Sequence, residues 1–505
     1  MKKFFIIILA LYLNNFVFSG DNRRLIFSQS VEYKNIPSAT ESEQRKNFIT
    51  FDEMGQDIDA LLYYLQTSYI GYDIFVEKGF NPDNLRIYFE ELYRAQTQIN
   101  IRDFYKKLSD YLRPYPEDGH FCIEKKSGKE FDNLFKESNV YFSNVYVKRD
   151  DSYFFVVDNG GENISLGKMY TGDKDNLFYY PSKGINIYRL GIISKNDINC
   201  FDFSFENTKQ KLDVSAEKHF LSSTLIKYHE IETKNTGYAS LSSFVLPEQK
   251  SMYRKGAEIV FEKFANLGIT WRDKKNVIID LRSNLGGRAY IANGFIYSLF
   301  KESGKVNLIR DEKRIDKWFN KKMVRRRELE SPGYFQSTVS YLQSTGEQNK
   351  YYYKKICKEL KKQKENPQIK FFENIKINLR DKQKGFDGKL LIIVDKQSAS
   401  VSEDLIFNAK RFLGSDKVIV IGENTAGCCT YMDICKYVLP NSKISLQLGA
   451  KKDLLPSLSS NWHGEGIGIY PDYWSTGQDL NETIFLVTQD EEMKQKLKGI
   501  ETRLK

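Results

Sequence analysis

Histidine is scarce in this chain: four residues, His120, His219, His229 and His463, in 505 positions. Any chemistry that needs an imidazole therefore has few places to live. Cysteine is nearly as rare, with six residues: Cys122, Cys200, Cys357, Cys428, Cys429 and Cys435. An even count permits disulfides in an exported protein, but six in a chain of this length exclude a disulfide-stapled scaffold. Zinc-site spacing is missing too, since Cys428 and Cys429 are adjacent and their nearest neighbour is Cys435. Beyond the N-terminus no apolar run approaches the ~18 residues of a membrane span, which argues against a transmembrane anchor. Internal repeats and long low-complexity segments are absent, which excludes solenoid and fibrous architectures.

What is present describes an ordinary globular protein. Hydrophobic residues make up 41% and charged residues 28%, and the length predicts two or three domains. The N-terminus reads as an export signal over residues 1–20. Lys2 and Lys3 form a basic start, residues 4–13 an apolar core, and Val17-Phe18-Ser19-Gly20 a small-residue cleavage site. Asn14 and Asn15 interrupt the run before it could cross a bilayer, and no cysteine near the site would accept a lipid. The expectation is a periplasmic or extracellular protein.

The net charge of +10 is uneven. Residues 301–389 carry 24 Lys and Arg against 12 Asp and Glu, and the rest of the chain is close to neutral. Such a segment is either a solvated helical insertion or a polyanion site. Export favours the insertion, and no nucleic-acid partner is expected.

Helical spacing at Ile58, Leu61, Leu62 and Leu65, then Leu85, Tyr88, Phe89 and Leu92, then Ile101, Phe104, Leu108 and Leu112 predicts a helical N-terminal domain over 47–135. His120 lies in its closing turn, Glu117-Asp118-Gly119-His120. Residues 140–230 alternate in short strands (140–147, 153–157, 184–190) between Gly, Asn and Asp turns, a β-rich module. From 235 to 480 strands and helices take turns, the pattern of an α/β core. Strands are expected at 237–244, 277–280, 390–394 and 418–421, with 446–448 and the turn near Pro471 closing the core.

Within that core, the strand at 390–394 runs into Asp395-Lys396-Gln397-Ser398-Ala399-Ser400, and a helix follows with Leu405, Ile406, Ala409 and Phe412. Strand, sharp turn and helix is the architecture that lifts a serine hydroxyl above a sheet edge. Ser400 is thus a candidate nucleophile, although Ser400 and Glu403 also spell a capping box. Gly286-Gly287 follows another core strand, where missing Cβ atoms let backbone N–H groups approach a substrate oxygen.

Asp280-Leu281-Arg282-Ser283-Asn284-Leu285-Gly286-Gly287, Ser398-Ala399-Ser400-Val401-Ser402-Glu403, Gly422-Glu423-Asn424-Thr425-Ala426-Gly427 and Glu465…Pro471-Asp472 stand in one order along the chain. Together with Asp118-Gly119-His120 and the strand from Gly237, this order resembles the tail-specific, or carboxyl-terminal processing, serine proteases. The resemblance covers about residues 50–475. It implies a crotonase-like α/β core, a degenerate PDZ-like middle module, protein or peptide substrates, a homodimer, and no metal or organic cofactor. One branch of the family places a dyad lysine directly after the Gly-Glu-x-Thr-x-Gly turn, and here that place is Cys428. The tricorn and chlamydial-factor branch uses histidine, serine and glutamate, a pattern that falls on His120, Ser400 and Glu465. It implies an acyl-enzyme on Ser400, with His120 as base, Glu465 orienting it, and an oxyanion hole from the backbone of Val401, Gly286 and Gly287. His463 is a rival base and Cys428 a rival nucleophile. A catalytically inactive binding protein on the same scaffold, or a polyanion-binding envelope protein, are the alternative functions.

Overall fold

A computed structural model describes residues 46–125, 130–133, 138–206, 208–216, 226–247, 251–300, 305–322, 325–336, 338–339, 350–365, 370–375, 385–454, 461–475 and 477–504. The export signal read over 1–20 lies outside the described residues. The chain forms two compact units, each built from separated stretches.

The first unit comprises the described parts of Met1–Phe135, Arg326–Glu373 and Thr430–Leu454. Its helices begin where the sequence supplies caps. Thr50 and Glu53 form a reciprocal capping box at the start of Phe51–Ser68. Asn81 Oδ1 caps Pro82–Tyr93, with proline at the first turn, and Asn100 Oδ1 caps Ile101–Leu112. Their apolar faces, Met54, Ile58, Leu61, Leu85, Phe89, Phe104 and Leu108 among them, form a buried core with Leu446 and Leu448. Those two leucines correct an expectation. The strand predicted at 446–448 is Ser445–Asp453, and it does not close the α/β core. It pairs antiparallel with Tyr431–Val438 and with Cys122–Lys125, inside the sheet of this unit. Alternation marks a strand but carries no address for the sheet it joins.

The second unit comprises the described parts of Lys136–Arg325, Asn374–Cys429 and Leu455–Lys505. Its β-rich part is an antiparallel sheet centred on Asn139–Asp150, which pairs with Tyr153–Asp158 on one side and Ile187–Ser194 on the other. The strand expected at 184–190 starts later, at Ile187, because Pro181–Lys183 form a 3-10 turn that ends on Gly184 at φ 133°.

The α/β part is a six-stranded sheet in the order Tyr228–Glu232, Thr236–Leu241, Asn276–Asp280, Lys389–Val394, Val418–Gly422 and Tyr473–Trp474. Only the first pairing is antiparallel. After the exposed Lys389, residues 390–394 of the fourth strand are an unbroken apolar run because both faces are covered. Leu390, Ile392 and Val394 point into the cluster under Arg254–Thr270, Ala289–Phe300 and Val401–Leu413. Leu391 and Ile393 point to the opposite cluster, with Leu480, Ile484, Met493 and Leu497. Those four belong to two C-terminal helices, Leu480–Thr488 and Glu491–Leu504, that the motif reading did not predict. The basic stretch 301–389 is only partly helical. Leu308–Lys322 and Lys350–Glu365 are helices, while Arg325–Glu330 and Lys370–Ile375 are strands. Among the described residues no helix is long and apolar enough to cross a membrane.

Candidate active site

Ser400 stands at the junction the sequence predicts, between Lys389–Val394 and the helix Val401–Leu413. Its backbone adopts φ 56° and ψ −113°, a conformation that a residue with a Cβ avoids. Such a geometry costs about 1–3 kcal/mol and persists only where the surroundings over-determine it. Here they do. Ser398 Oγ donates to Leu281 O at 2.8 Å and accepts the Asp395 N–H at 3.0 Å. The Ala399 N–H donates to Asn284 O at 3.0 Å, and Ser402 Oγ donates to the same carbonyl at 2.9 Å. Asn284 is itself anchored by Nδ2 to Leu241 O. The turn at 281–287 and the turn at 395–402 are one hydrogen-bonded body.

Two glycines set how closely they approach. A Cβ on Gly286, at φ 89°, would lie 2.6 Å from Ala399 O and 2.8 Å from both Ser400 Cβ and the Val401 nitrogen. One on Gly287, at φ 139°, would lie 2.2 Å from the carbonyl carbon of Phe244. The Gly286 N–H donates to Asn284 Oδ1 at 2.9 Å. No hydrogen bond to a described residue uses the N–H of Val401 or of Gly287.

Glu403 is the feature that sequence reasoning underrated. Its carboxylate is fully buried and receives four donors. Oε1 accepts from Thr425 Oγ1 at 2.5 Å and from the Gly427 N–H at 2.9 Å. Oε2 accepts from the Cys428 N–H at 2.8 Å and the Ser400 N–H at 3.0 Å. Glu403 thus holds the Ser400 amide, as the capping-box pattern requires, and its own N–H donates to the Ser400 carbonyl at 2.9 Å. Burial pushes the Glu403 carboxyl above its ordinary range, against the pull of these four hydrogen bonds. The signal for this role was the fourth position of Ser-x-x-Glu, which a cap explains equally well.

Thr425 continues the chain of contacts. Its Oγ1 accepts the Ile469 N–H at 2.7 Å, and Asn424 Nδ2 donates to Ile467 O at 2.6 Å. The Gly466 N–H donates to Gly427 O at 2.8 Å, and the buried Lys396 reaches Gly466 O with Nζ at 3.3 Å. Glu465 sits on this loop and accepts the Cys429 N–H at 3.1 Å through Oε1. Ser400 and Glu465 thus belong to one framework, joined through Glu403 and the turn 424–429. Cys428 is buried and packs with Ala399 and Ala426.

The two histidines of the motif reading differ in their surroundings. His463 lies flat against Tyr470, ring centroids 3.6 Å apart, and burial lowers its pKa. His120, in the first unit, sits in a turn built on Asp118, whose side chain is fully buried. Asp118 Oδ1 accepts the His120 N–H at 2.8 Å, and Oδ2 accepts the Gly449 N–H at 3.3 Å. The ring's Nδ1 lies 3.6 Å from Asp118 Oδ1. Among the described residues no cluster of His, Cys, Asp and Glu is arranged to hold a metal ion.

Residues 235–474 match Peptidase family S41. No curated protein matches the chain. Among solved structures, mature CPAF complexed with lactacystin is 11% identical, with 90% of this chain and 98% of that chain covered and a TM-score of 0.42. The photosystem II D1 C-terminal processing protease is 12% identical, with 85% and 94% covered and a TM-score of 0.33. The tricorn protease is 11% identical, with 83% of this chain and 34% of that one covered and a TM-score of 0.26.

Proposed function

Because its segment 235–474 belongs to Peptidase family S41 and the chain is a serine-type peptidase, we propose that it is an exported endopeptidase that cleaves proteins through an acyl-enzyme on Ser400. The observation that carries this reading is the strained Ser400 turn at the head of a helix, with the Val401 N–H open beside it. His120 takes the proton from Ser400 Oγ as the hydroxyl attacks the substrate carbonyl, and returns it to the leaving amine. Glu465 orients the imidazole and stabilises it when charged. Water then enters, with His120 again as base, and hydrolyses the ester.

The N–H groups of Val401 and Gly287 serve the oxyanion. Gly286 contributes closeness rather than a donor, since its own N–H is engaged by Asn284. Losing one oxyanion donor typically removes about 2.7–4 kcal/mol of transition-state stabilisation. His463 is disfavoured as the base by its stacking on Tyr470. We read the parallel sheet as the crotonase-like core and the antiparallel sheet around Asn139–Asp150 as a degenerate PDZ-like module that engages substrate. Residues 1–20 act as the export signal, and the mature protein is a homodimer.

Labelling with a fluorophosphonate probe tests the mechanism. Wild type is expected to label, and Ser400→Ala and His120→Ala to lose the label. Absence of labelling in folded wild type, or full labelling of Ser400→Ala, would remove this assignment.

A further inference from the structure

One helix of the basic stretch has no part in the chemistry above. Leu308–Lys322 carries cations at Arg310, Lys313, Arg314 and Lys317, the i, i+3, i+4, i+7 spacing that gathers them on one face. They border an open groove of about 570 Å³ whose wall is completed by Tyr297 and Trp318. We propose that this groove docks an extended, acidic polypeptide segment and so recruits protein substrates rich in Asp and Glu. The recruiting role rests on the peptidase reading; the docking does not.

Charge is the first reason. Among the described residues that line the groove, four are cations and one is a carboxylate, Asp311, which is buried and accepts the Asn307 N–H at 3.0 Å. Arg310 and Arg314 each approach Asp311 Oδ1 only to 3.8 Å, and their side chains are 76% and 65% exposed. Arg314 also hydrogen-bonds Tyr297, yet both guanidinium groups stay largely exposed, where they suit carboxylates that arrive in pairs.

Ring geometry is the second. Trp318 stacks on Phe412 at 4.9 Å, packs against Phe300 at 5.7 Å and meets Tyr297 edge-on at 5.4 Å. Its faces are engaged within the fold, so the groove presents an apolar wall and no platform for a nucleobase. Asp311 at the groove also disfavours closely spaced phosphates more than a peptide, whose backbone N–H groups can face it.

Length is the third. Arg310 to Lys317 spans about 10 Å of helix axis. Alternate side chains on one face of an extended strand lie about 6.6–6.8 Å apart, so two acidic residues at i and i+2 fit along the stripe.

Fluorescence anisotropy on the full chain carrying Ser400→Ala tests this, using a fluorescein-labelled peptide of alternating glutamate and serine. Its glutamine counterpart and an oligothymidylate of equal length are the controls. Binding of the glutamate peptide alone, weakening with salt and falling about tenfold or more in Arg310→Glu/Arg314→Glu/Lys317→Glu, is the expected result. Unchanged affinity in that variant, no binding by the glutamate peptide, or tighter binding by the oligothymidylate would each overturn the proposal. Fluorophosphonate labelling of the same triple reversal, built on the Ser400 protein, should match the parent. Loss of labelling in the parent itself would sink the catalytic reading and leave the docking result standing.

Discussion

Two turns carry the proposed chemistry, and they are held in different ways. Ser400 sits in a disfavoured backbone conformation that a dense set of hydrogen bonds enforces, centred on the buried Glu403. His120 sits in a turn organised by one buried carboxylate, Asp118, through two N–H groups. A nucleophile must be aimed together with the amides that will stabilise its product, so its backbone is fixed. An imidazole needs its ring oriented, and a simpler anchor suffices.

The difference can be pressed hardest by removing each anchor. Glu403→Ala removes the acceptor of the Ser400, Gly427 and Cys428 amides and of the Thr425 hydroxyl, at about 1–3 kcal/mol for each group. It is expected to abolish labelling and to lower the midpoint of urea unfolding substantially. Asp118→Ala strips two amides only and should destabilise about half as much. Equal losses of stability would show that the two turns are anchored alike.

Next in size is Gly286→Ala. The added Cβ forces Ala399 O, Ser400 and Val401 apart by several tenths of an ångström. The expected result is a drop in kcat of about 10²–10³-fold with little change in KM, the range seen when an oxyanion donor is misplaced. A change confined to KM would count against it.

Ser400→Gly should separate strain from chemistry. Glycine accepts φ 56° without penalty, so the variant should be inactive yet more stable than Ser400→Ala, by about 1–3 kcal/mol. Thermal unfolding of the two proteins side by side gives the answer, and equal stability would mean the turn is unstrained.

The smallest effect concerns His463. Its folded pKa is lowered below the ordinary value of 6.5 by burial, so the unfolded chain binds the proton first as pH falls. Stability is therefore full above about pH 6.5 and declines as pH drops toward the folded pKa. His463→Phe keeps a ring on Tyr470 and should flatten that decline. A wild-type slope in the variant would assign it elsewhere.

Much of this was readable in the chain. The helical spacing of the N-terminal segment and the strand–turn–helix at Ser400 are local signals, and the structure keeps both. The strand expected at 446–448 was read into the wrong sheet because partner choice is a non-local matter. Glu403 was read as a helix cap because its other three donors come from residues 425–428, more than twenty positions away.

The sequence by itself determined the elements, the order of the motifs and the types of residue available for catalysis, since spacing, capping and composition act over a few residues. Only the tertiary structure decided which turns are bonded together, that Gly286 gives its N–H to Asn284, that His463 is stacked on Tyr470, and that the basic residues of Leu308–Lys322 line a groove. Those outcomes depend on which distant groups packing brings within a few ångströms of each other, and on which buried donors then find an acceptor.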